Sequence, residues 1–325
     1  MRFFVKRLLP VFIAVLLMGC GKTQPISKTF FALDTFCTIT VYDSADESIL
    51  SDGEKLVKSC EKMLSATVSG SDVERINHAG GKSVRVSGET ARVIEKALEY
   101  SRLTDGAFDI TIYPVLSLWD FRSGDTKVPE DAALKEALRH VDYKNVFVSG
   151  NTVTLADPGA GIELGGIAKG YICDVLSDFL RERGVRSAII NLGGNVAAIG
   201  KRPDGEAFRV GVKKPFGDGN ETVTVLPCSD ESVVSSGIDE RYFIADGVLY
   251  HHILDPATGY PAVSELNAVS VMAERSVDAD ALSTCLFLLG KDEGEELLKK
   301  CASDKPLRAV FIGKDNEVLS DVNAP

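Results

Sequence analysis

A carboxylate and a hydroxyl group stand four residues apart at Asp280 and Thr284. If the segment is helical, positions i and i+4 share one face, so both side chains point the same way. A carboxylate and a neutral oxygen are hard ligands that suit Mg²⁺, which also takes phosphate oxygens from a ligand. Because Asp and Thr near the start of a helix are common caps, the pair alone leaves a metal site and a helix cap open.

A glycine-rich turn at residues 163–170 precedes a predicted helix. Glycines let the backbone approach a ligand closely, and the first N–H groups of a helix are free to bind an anion. Lys169 falls in that first turn, where its ammonium group can reach a phosphate. The pattern is neither a Walker loop nor a Rossmann fingerprint, so a packing turn with a solvated lysine is the alternative.

Two further segments carry side chains that could contact a ligand. In residues 105–111, Phe108 could stack on a flat ring and Asp109 could accept hydrogen bonds from ring or ribose donors, although core packing also explains Phe108. In residues 250–259, a histidine could orient a substrate or take a proton. Since neighbouring strand residues face opposite sides, one of the two adjacent histidines is expected to face inward, and a buried, hydrogen-bonded imidazole is the alternative.

The first 19 residues predict a secretory signal. Basic residues precede an apolar run from Leu8 to Met18 that is too short to span a bilayer. Gly19 and Cys20 follow, and this junction resembles the lipobox of bacterial lipoproteins, which implies cleavage before Cys20 and acylation of its thiol. An ordinary signal peptide with a chance cysteine is the alternative.

The formal net charge of −11 argues against nucleic acid as a partner. Any phosphate ligand must therefore be held by local features and not by the overall field. Beyond Cys20, six cysteines form no CxxC pair and no cluster with the ligand spacing of zinc sites, so we expect buried free thiols.

Hydrophobic periodicity predicts an α+β fold of antiparallel or mixed sheets with flanking helices, in two closely packed halves. The predicted helices are 47–64, 90–103, 129–140, about 170–183, 277–289 and 293–301. The predicted strands include 30–42, a hairpin of 146–148 with 153–155, 187–191 and two at the end of the chain. We therefore divide the chain into a signal peptide (1–19), a tether (20–29) and one folded domain (30–325).

In their order along the chain, these segments resemble the FAD:protein FMN transferase family of ApbE type. The matching stretches are Thr35 with Ile39, Gly106–Thr111, Leu164–Tyr171, Asn191–Asn195, Ser236–Gly259 and Ala279–Thr284. They extend over nearly all of the domain. Two positions depart from the family pattern: Glu163 stands where the family usually has Asp, and Asp34 replaces the usual Gly before Thr35.

The resemblance implies an FAD site in a cleft between the two halves. The implied FAD-contacting residues are Leu33, Ala107, Phe108, Asp109, Glu163, Lys169, His252 and Leu254. Among them, residues 107–109 would lie at the adenosine end and Lys169 at the phosphates. Mg²⁺ would be held by Gly166, through its carbonyl, with Asp280 and Thr284. The implied catalytic residues are Lys169, His252 and Asp280.

The function implied by the resemblance is Mg²⁺-dependent transfer of the FMN moiety of FAD to a threonine hydroxyl of an exported protein, with release of AMP. Such an acceptor would be a flavinylated subunit of a membrane redox pump. The alternatives are an FAD pyrophosphatase that releases FMN and AMP, and a non-catalytic FAD-binding lipoprotein. A lipid anchor at Cys20 would place the chain outside the cytoplasm on the cell membrane, at the periplasmic face of the inner membrane in a diderm cell.

Overall fold

The computed structural model describes residues 24–121, 126–219, 221–302 and 306–324. The predicted signal peptide and the predicted lipidation site at Cys20 lie outside these ranges. Among the helices within them, none combines the length and the apolar composition needed to cross a membrane.

The described residues form seven α-helices, one 3₁₀ turn and fifteen strands. The helices are α1 (Ser48–Leu64), α2 (Asp72–Asn77), α3 (Gly88–Leu103), α4 (Tyr113–Leu116), α5 (Asp131–Leu138), α6 (Ala168–Glu182) and α7 (Ser276–Cys301). The first strands are β1 (Ile26–Ala32), β2 (Thr35–Val41), β3 (Val84–Arg85), β4 (Val146–Ser149), β5 (Thr152–Leu155), β6 (Ser187–Leu192) and β7 (Asn195–Gly200). The others are β8 (Phe208–Lys213), β9 (Thr222–Cys228), β10 (Ser232–Gly237), β11 (Tyr242–Ala245), β12 (Val248–His251), β13 (Leu266–Ala273), β14 (Leu307–Gly313) and β15 (Val318–Ala324).

An eight-stranded antiparallel sheet is the centre of the fold. Its strand order is β1-β2-β6-β7-β10-β13-β14-β15, so strands from both halves of the chain share one sheet. Smaller antiparallel sheets are β3-β5-β4, β8-β9 and β11-β12. The antiparallel pairing and the segregated helices confirm the predicted α+β class.

The two faces of the large sheet are covered differently. Helix α7 packs on β10 and β13, and α6 packs between α7 and α1. On the other face, alternate residues of β8, such as Phe208 and Val210, pack on Ala198 and Val310 of the large sheet. Because both faces are covered, α6 and α7 are held in fixed positions relative to the strand ends.

The predicted strand 30–42 and the end of the predicted tether are corrected by the structure. Strand β1 already begins at Ile26, and residues 26–41 form a two-stranded hairpin that turns at Leu33 and Asp34. These residues have φ angles of 57° and 56°, the left-handed region that two-residue hairpin turns require. Glycine and asparagine usually fill such positions, so the leucine hid the turn from sequence analysis.

Most other predicted elements are confirmed. Helices α1, α3, α5 and α6 and the β4–β5 hairpin lie where periodicity placed them. The two predicted C-terminal helices are the two parts of α7, which kinks at Gly290 with φ 76°. Helix α2 was not predicted because its segment is polar. Its signal is a cap, in which Glu74 N donates to Ser71 Oγ over 2.9 Å.

Candidate active site

A single cleft of about 540 Å³ gathers every site residue that the sequence singled out within the domain. Its walls come from the β1–β2 turn, the end of α1, residues 107–121, the start of α6, the end of β10, residues 252–256 and α7. The predicted residues that line it are Leu33, Ala107, Phe108, Asp109, Glu163, Gly166, Lys169, His252, Leu254, Asp280 and Thr284. Its size lies within the range of small-molecule sites, about 300–1,000 Å³.

Asp280 and Thr284 share the face of α7 that lines the cleft. Asp280 is only 4% exposed, and it is the fifth residue of α7, too far along to cap its own helix. Its Oδ2 instead accepts the N–H of Gly170 at 2.7 Å, at the start of α6. Thr284 Oγ1 lies 3.0 Å from Ser236 Oγ at the end of β10. The alternative that these residues cap their own helix is therefore wrong, and Asp280 instead binds the first turn of α6.

Burial raises the pKa of Asp280 to about 6, although the charge of Lys169 and the Gly170 hydrogen bond pull it down. The second oxygen, Oδ1, has no hydrogen-bond partner among the residues that the structure describes. A bound cation would stabilise the charged form of this desolvated carboxylate through the oxygen that has no partner.

The start of α6 supplies the lysine. Lys169 is the second residue of α6, and Ile167 before the helix provides no side-chain cap. In the described part of the chain the lysine forms no ion pair, but its charge acts on Asp280, Glu240 and His252. The turn before the helix is closed internally, since Gly165 N donates to Glu163 Oε1 over 2.8 Å.

Phe108 belongs to the main hydrophobic core and is 6% exposed, as the packing interpretation expected. Its ring edge also meets the glycine turn, because a Cβ added to Gly166 would lie 2.9 Å from Phe108 Cε2. The same Cβ would lie 3.7 Å from Thr284 Oγ1. Gly166 therefore fits against the aromatic ring only because it lacks a side chain, while the hydroxyl lies at ordinary contact distance.

Asp109 holds its own segment together. Its Oδ1 accepts from Thr111 N and Thr111 Oγ1 at 2.7 and 2.6 Å, and its Oδ2 accepts from Tyr143 N at 2.9 Å. Burial raises its pKa, while these bonds lower it. The sequence suggested an acceptor for ring or ribose donors, but three protein donors already occupy much of the carboxylate.

The two histidines differ for a reason that strand alternation did not capture. Strand β12 ends at His251, so His252 is no longer part of a pleated strand. His251 is buried, with Nε2 3.2 Å from Ala262 O. His252 lines the cleft, and burial together with the charges of Arg241 and Lys169 lowers its pKa to about 3. His252 is thus a neutral imidazole at neutral pH.

Arg241 and Glu240 are cleft residues that sequence analysis did not select. Arg241 is half-buried, forms no ion pair within the described ranges, and accepts the His252 N–H at its carbonyl oxygen over 3.1 Å. Burial of its carboxylate in the cleft raises the pKa of Glu240, although the residue as a whole is exposed. The sequence feature that could have identified Arg241 is its position in the stretch 236–259, which resembles the family, in a chain with a net negative charge.

An aromatic wall closes one end of the cleft. Trp119 and Phe121 line it and stack at 5.6 Å with an interplanar angle of 11°. Phe243 and Tyr250 pack behind them, and Trp119 Nε1 donates to Gly259 O over 2.9 Å. Leu254 belongs to the same cluster. Flat apolar faces of this kind accommodate a heteroaromatic ring.

The residues of the cleft could bind Mg²⁺ only if a bound ligand supplied further oxygen atoms. Among the described residues, no three His, Cys, Asp or Glu side chains lie close enough to hold a metal ion. Mg²⁺ often relies on one or two carboxylates and completes its shell with water and substrate phosphates. The spare oxygen of Asp280 and the hydroxyl of Thr284 match that pattern.

Comparison with known proteins identifies the family. The model of the ApbE family matches residues 33–311, which include every residue that lines the cleft. This chain belongs to the ApbE family. It is 37% identical over 279 residues to an FAD:protein FMN transferase of Klebsiella pneumoniae, covering 85% of each chain. It is 34% identical over 320 residues to the protein of that name from Treponema pallidum, covering 92% of this chain and 88% of the relative.

Solved structures of the ApbE family share the fold. The crystal structure of the ApbE protein from Thermotoga maritima superposes with a TM-score of 0.82 at 33% identity, covering 93% of this chain and 97% of that one. The flavin transferase ApbE from Vibrio cholerae gives a TM-score of 0.82 at 25% identity with the same coverage. The ApbE fold therefore extends over nearly all of the domain.

The two departures from the ApbE pattern have different structural settings. Asp34 occupies a left-handed turn position with φ 56°, where the usual glycine has no steric cost. The Glu163 carboxylate accepts the Gly165 N–H over 2.8 Å, as aspartates of this chain do from the residue two positions on. Neither change removes a wall of the cleft.

Proposed function

We propose that this chain is an FAD:protein FMN transferase that uses Mg²⁺ to move the FMN moiety of FAD onto a threonine hydroxyl of another protein, releasing AMP. The observation that carries the proposal is the meeting of the Asp280–Thr284 face of α7 with the first turn of α6 in one cleft. Its relatives from Klebsiella pneumoniae and Treponema pallidum bear this name.

A local anion site supports FAD binding in an acidic protein. The net charge is −11, yet Lys169 and Arg241 both line the cleft and lack ion-pair partners in the described residues. At the start of α6, the Ala168 N–H already binds Leu164 O and the Gly170 N–H binds Asp280, so the two side-chain cations carry the site. Together they provide the charge that a pyrophosphate requires.

The proposed metal ligands are the carbonyl of Gly166, Asp280 and Thr284. When bound, Mg²⁺ would supply positive charge that offsets charge on the phosphates and stabilises the leaving group. The ammonium group of Lys169 would act on the same phosphates from the side of α6.

In the proposed reaction, the threonine oxygen of the acceptor forms a bond to the phosphorus on the FMN side, and the bond from that phosphorus to the oxygen of AMP breaks. The hydroxyl proton needs an acceptor in the cleft. The neutral imidazole of His252 is our candidate, and its backbone is fixed by the bond to Arg241. Positioning and charge account for most of the catalysis.

The proposed location is the outer surface of the cell membrane, with acylated Cys20 as anchor. The sequence at Gly19 and Cys20 supports this location. Confinement to the membrane surface would raise the encounter rate with an exported acceptor without any new contact. Cys20→Ala should move the chain from the membrane to the soluble fraction, and retention in the membrane fraction would contradict the anchor.

The metal role is tested by Asp280→Asn, because asparagine keeps one oxygen that can accept the Gly170 N–H and loses the charge and the second oxygen. With FAD, Mg²⁺ and an acceptor protein that carries the target threonine, AMP formation measured by chromatography should fall about 100-fold or more. Asp278→Asn is the matched control: Asp278 lies on the same helix but binds Tyr100 Oη at 2.6 Å, outside the cleft. Equal AMP formation by both variants would overturn the assignment.

A further inference from the structure

Helices α6 and α7 cap each other and not themselves. The residues before them, Ile167 and Arg275, make no side-chain cap. Asp280 of α7 accepts the Gly170 N–H of α6 at 2.7 Å, as described above. In the other direction, Asp174 of α6 accepts the N–H groups that open α7.

The Asp174 carboxylate binds the first turn of α7 through both oxygens. Ser276 N donates to Oδ1 at 2.8 Å, and Val277 N donates to Oδ2 at 3.0 Å. Arg275 Nε lies 3.4 Å from Oδ2, so a cation faces the carboxylate on the solvent side. Asp174 itself is 4% exposed. It therefore fixes the helix start from a buried position.

Helices α6 and α7 are tightly packed where they cross at Gly170. A Cβ on Gly170 would lie 2.3 Å from Ser276 O and 2.7 Å from Asp280 Cβ. Ser276 Oγ also donates to Asn195 Oδ1 at 2.6 Å, which ties the start of α7 to β7. The first turn of α7 is thus bound to one helix and one strand before the helix enters the cleft.

We propose that Asp174 is a positioning residue for the cleft face of α7, and this proposal rests on the proposed function. Asp280 and Thr284 follow Ser276 by four and eight residues, so they lie about 6 and 12 Å along the helix from it. A shift of the helix start therefore moves both side chains relative to Gly166 and Lys169. Asp174 touches none of the reacting atoms and acts through the helix.

Amide hydrogen exchange tests the coupling without metal or FAD. In Asp174→Asn, exchange at Ser276 and Val277 should quicken about fivefold or more, as expected for loss of a capping bond. Exchange at Gly170 on the partner helix should quicken as well, because its acceptor Asp280 moves with α7. Protection at Gly170 that stays at the wild-type level would contradict the proposal.

Asp178→Asn is the matched control. Asp178 lies one turn further along α6 and binds the same Arg275 at 3.1 and 3.3 Å, but it accepts no N–H of α7. Its exchange pattern should match that of the wild type. With acceptor protein present and FAD saturating, the Mg²⁺ concentration for half-maximal AMP formation should rise about tenfold or more in Asp174→Asn and stay unchanged in Asp178→Asn.

A second substitution separates positioning from simple capping. In the double variant Asp174→Asn with Arg275→Ser, the serine can cap α7 locally. The melting temperature should recover while the Mg²⁺ requirement and the fast exchange at Gly170 persist. Recovery of all three would reduce Asp174 to a helix cap. If the wild type forms no AMP, the proposed function fails, while the exchange experiment still decides whether Asp174 positions α7.

Discussion

The ring of Phe108 leaves space at Gly166 for a hydrogen atom but not for a methyl group, since a Cβ would lie 2.9 Å from Cε2. On the other side, the same position faces Thr284 Oγ1 at 3.7 Å. The aromatic ring therefore limits what fits at the glycine turn, while the helix hydroxyl leaves ordinary contact distance. This contact joins the first half of the chain to the two helices of the proposed metal site.

Gly166→Ala should reduce FAD affinity more than it reduces the stability of the fold. The added methyl group must displace the Phe108 ring or the turn, and such overpacking costs about 1–3 kcal/mol, or roughly ten- to hundredfold in affinity. Calorimetry should show weaker FAD binding in the presence of Mg²⁺. Gly88→Ala at the start of α3 is the control, because no atom lies closer to its Cβ than the flexible end of Arg92 at 3.4 Å. Unchanged FAD affinity in Gly166→Ala would contradict the role of this contact.

Lys169→Gln and Arg241→Gln should each lower FAD affinity about tenfold or more, since a hydrogen bond to a charged group contributes about 1.5–3 kcal/mol. Added salt should weaken FAD binding by the wild type more than FAD binding by either variant. Each variant has lost one positive charge, so less attraction remains for salt to screen. Riboflavin, which has no phosphate, should bind all three proteins equally. Lys299→Gln at the exposed end of α7 serves as control. An equal loss of affinity for riboflavin and for FAD would show that neither cation contacts the phosphates.

His251 should make the fold less stable below neutral pH. Burial lowers its pKa from 6.5 to about 4, and the edge-on ring of Phe287 at 5.8 Å offers no partner for a charge. The unfolded chain therefore binds the proton more readily between these values, and stability falls as the pH drops from 6.5. The loss is at most about 2 kcal/mol at pH 5. Asp174 and Asp280 act in the opposite direction, because burial raises the pKa of each to about 6.

Variants of the two histidines separate the contribution of His251 to the pH dependence of stability from that of the aspartates. Denaturant unfolding of His251→Gln at pH 7 and pH 5 should show a smaller loss of stability on acidification than the wild type. His78→Gln, at an exposed histidine, should behave as the wild type does. A wild-type loss that persists in His251→Gln would assign the pH dependence to other groups.

Trp119 provides an internal reporter, since it is the only tryptophan in the chain and lines the cleft. Bound FAD should quench its fluorescence strongly, because a flavin in the cleft lies near the indole. Trp119→Phe keeps an aromatic wall and removes the signal, so calorimetry with FAD should still detect binding. Saturating FAD that binds by calorimetry but leaves Trp119 emission unchanged would place the ligand outside this cleft.

Chemistry and local spacing singled out part of the cleft, and the resemblance to the ApbE family supplied residues such as Leu33, Ala107 and Leu254. Asp280 and Thr284 share a face by helical geometry alone, and the glycine turn before Lys169 is local as well. The partners across the fold could not be predicted, because Gly170 and Asp280 are separated by 110 residues. Only the packing of α6 on α7 brings them together.

Local rules failed where a residue broke its usual preference. Leu33 adopts φ 57° in a turn that normally selects glycine or asparagine, so the first hairpin was read as one strand. His252 follows the last residue of β12, so alternation could not assign its side. Arg241 was missed because a single arginine carries no spacing signal.

The most direct test of the account is mass spectrometry of an exported acceptor protein co-expressed with the full chain. A transferase should leave a covalent FMN phosphoester on one threonine of the acceptor, with one AMP released for each FMN attached. The adduct should be absent when that threonine is alanine or when the enzyme carries Asp280→Asn. An unmodified acceptor accompanied by free FMN and AMP would contradict the transferase and establish a hydrolase instead.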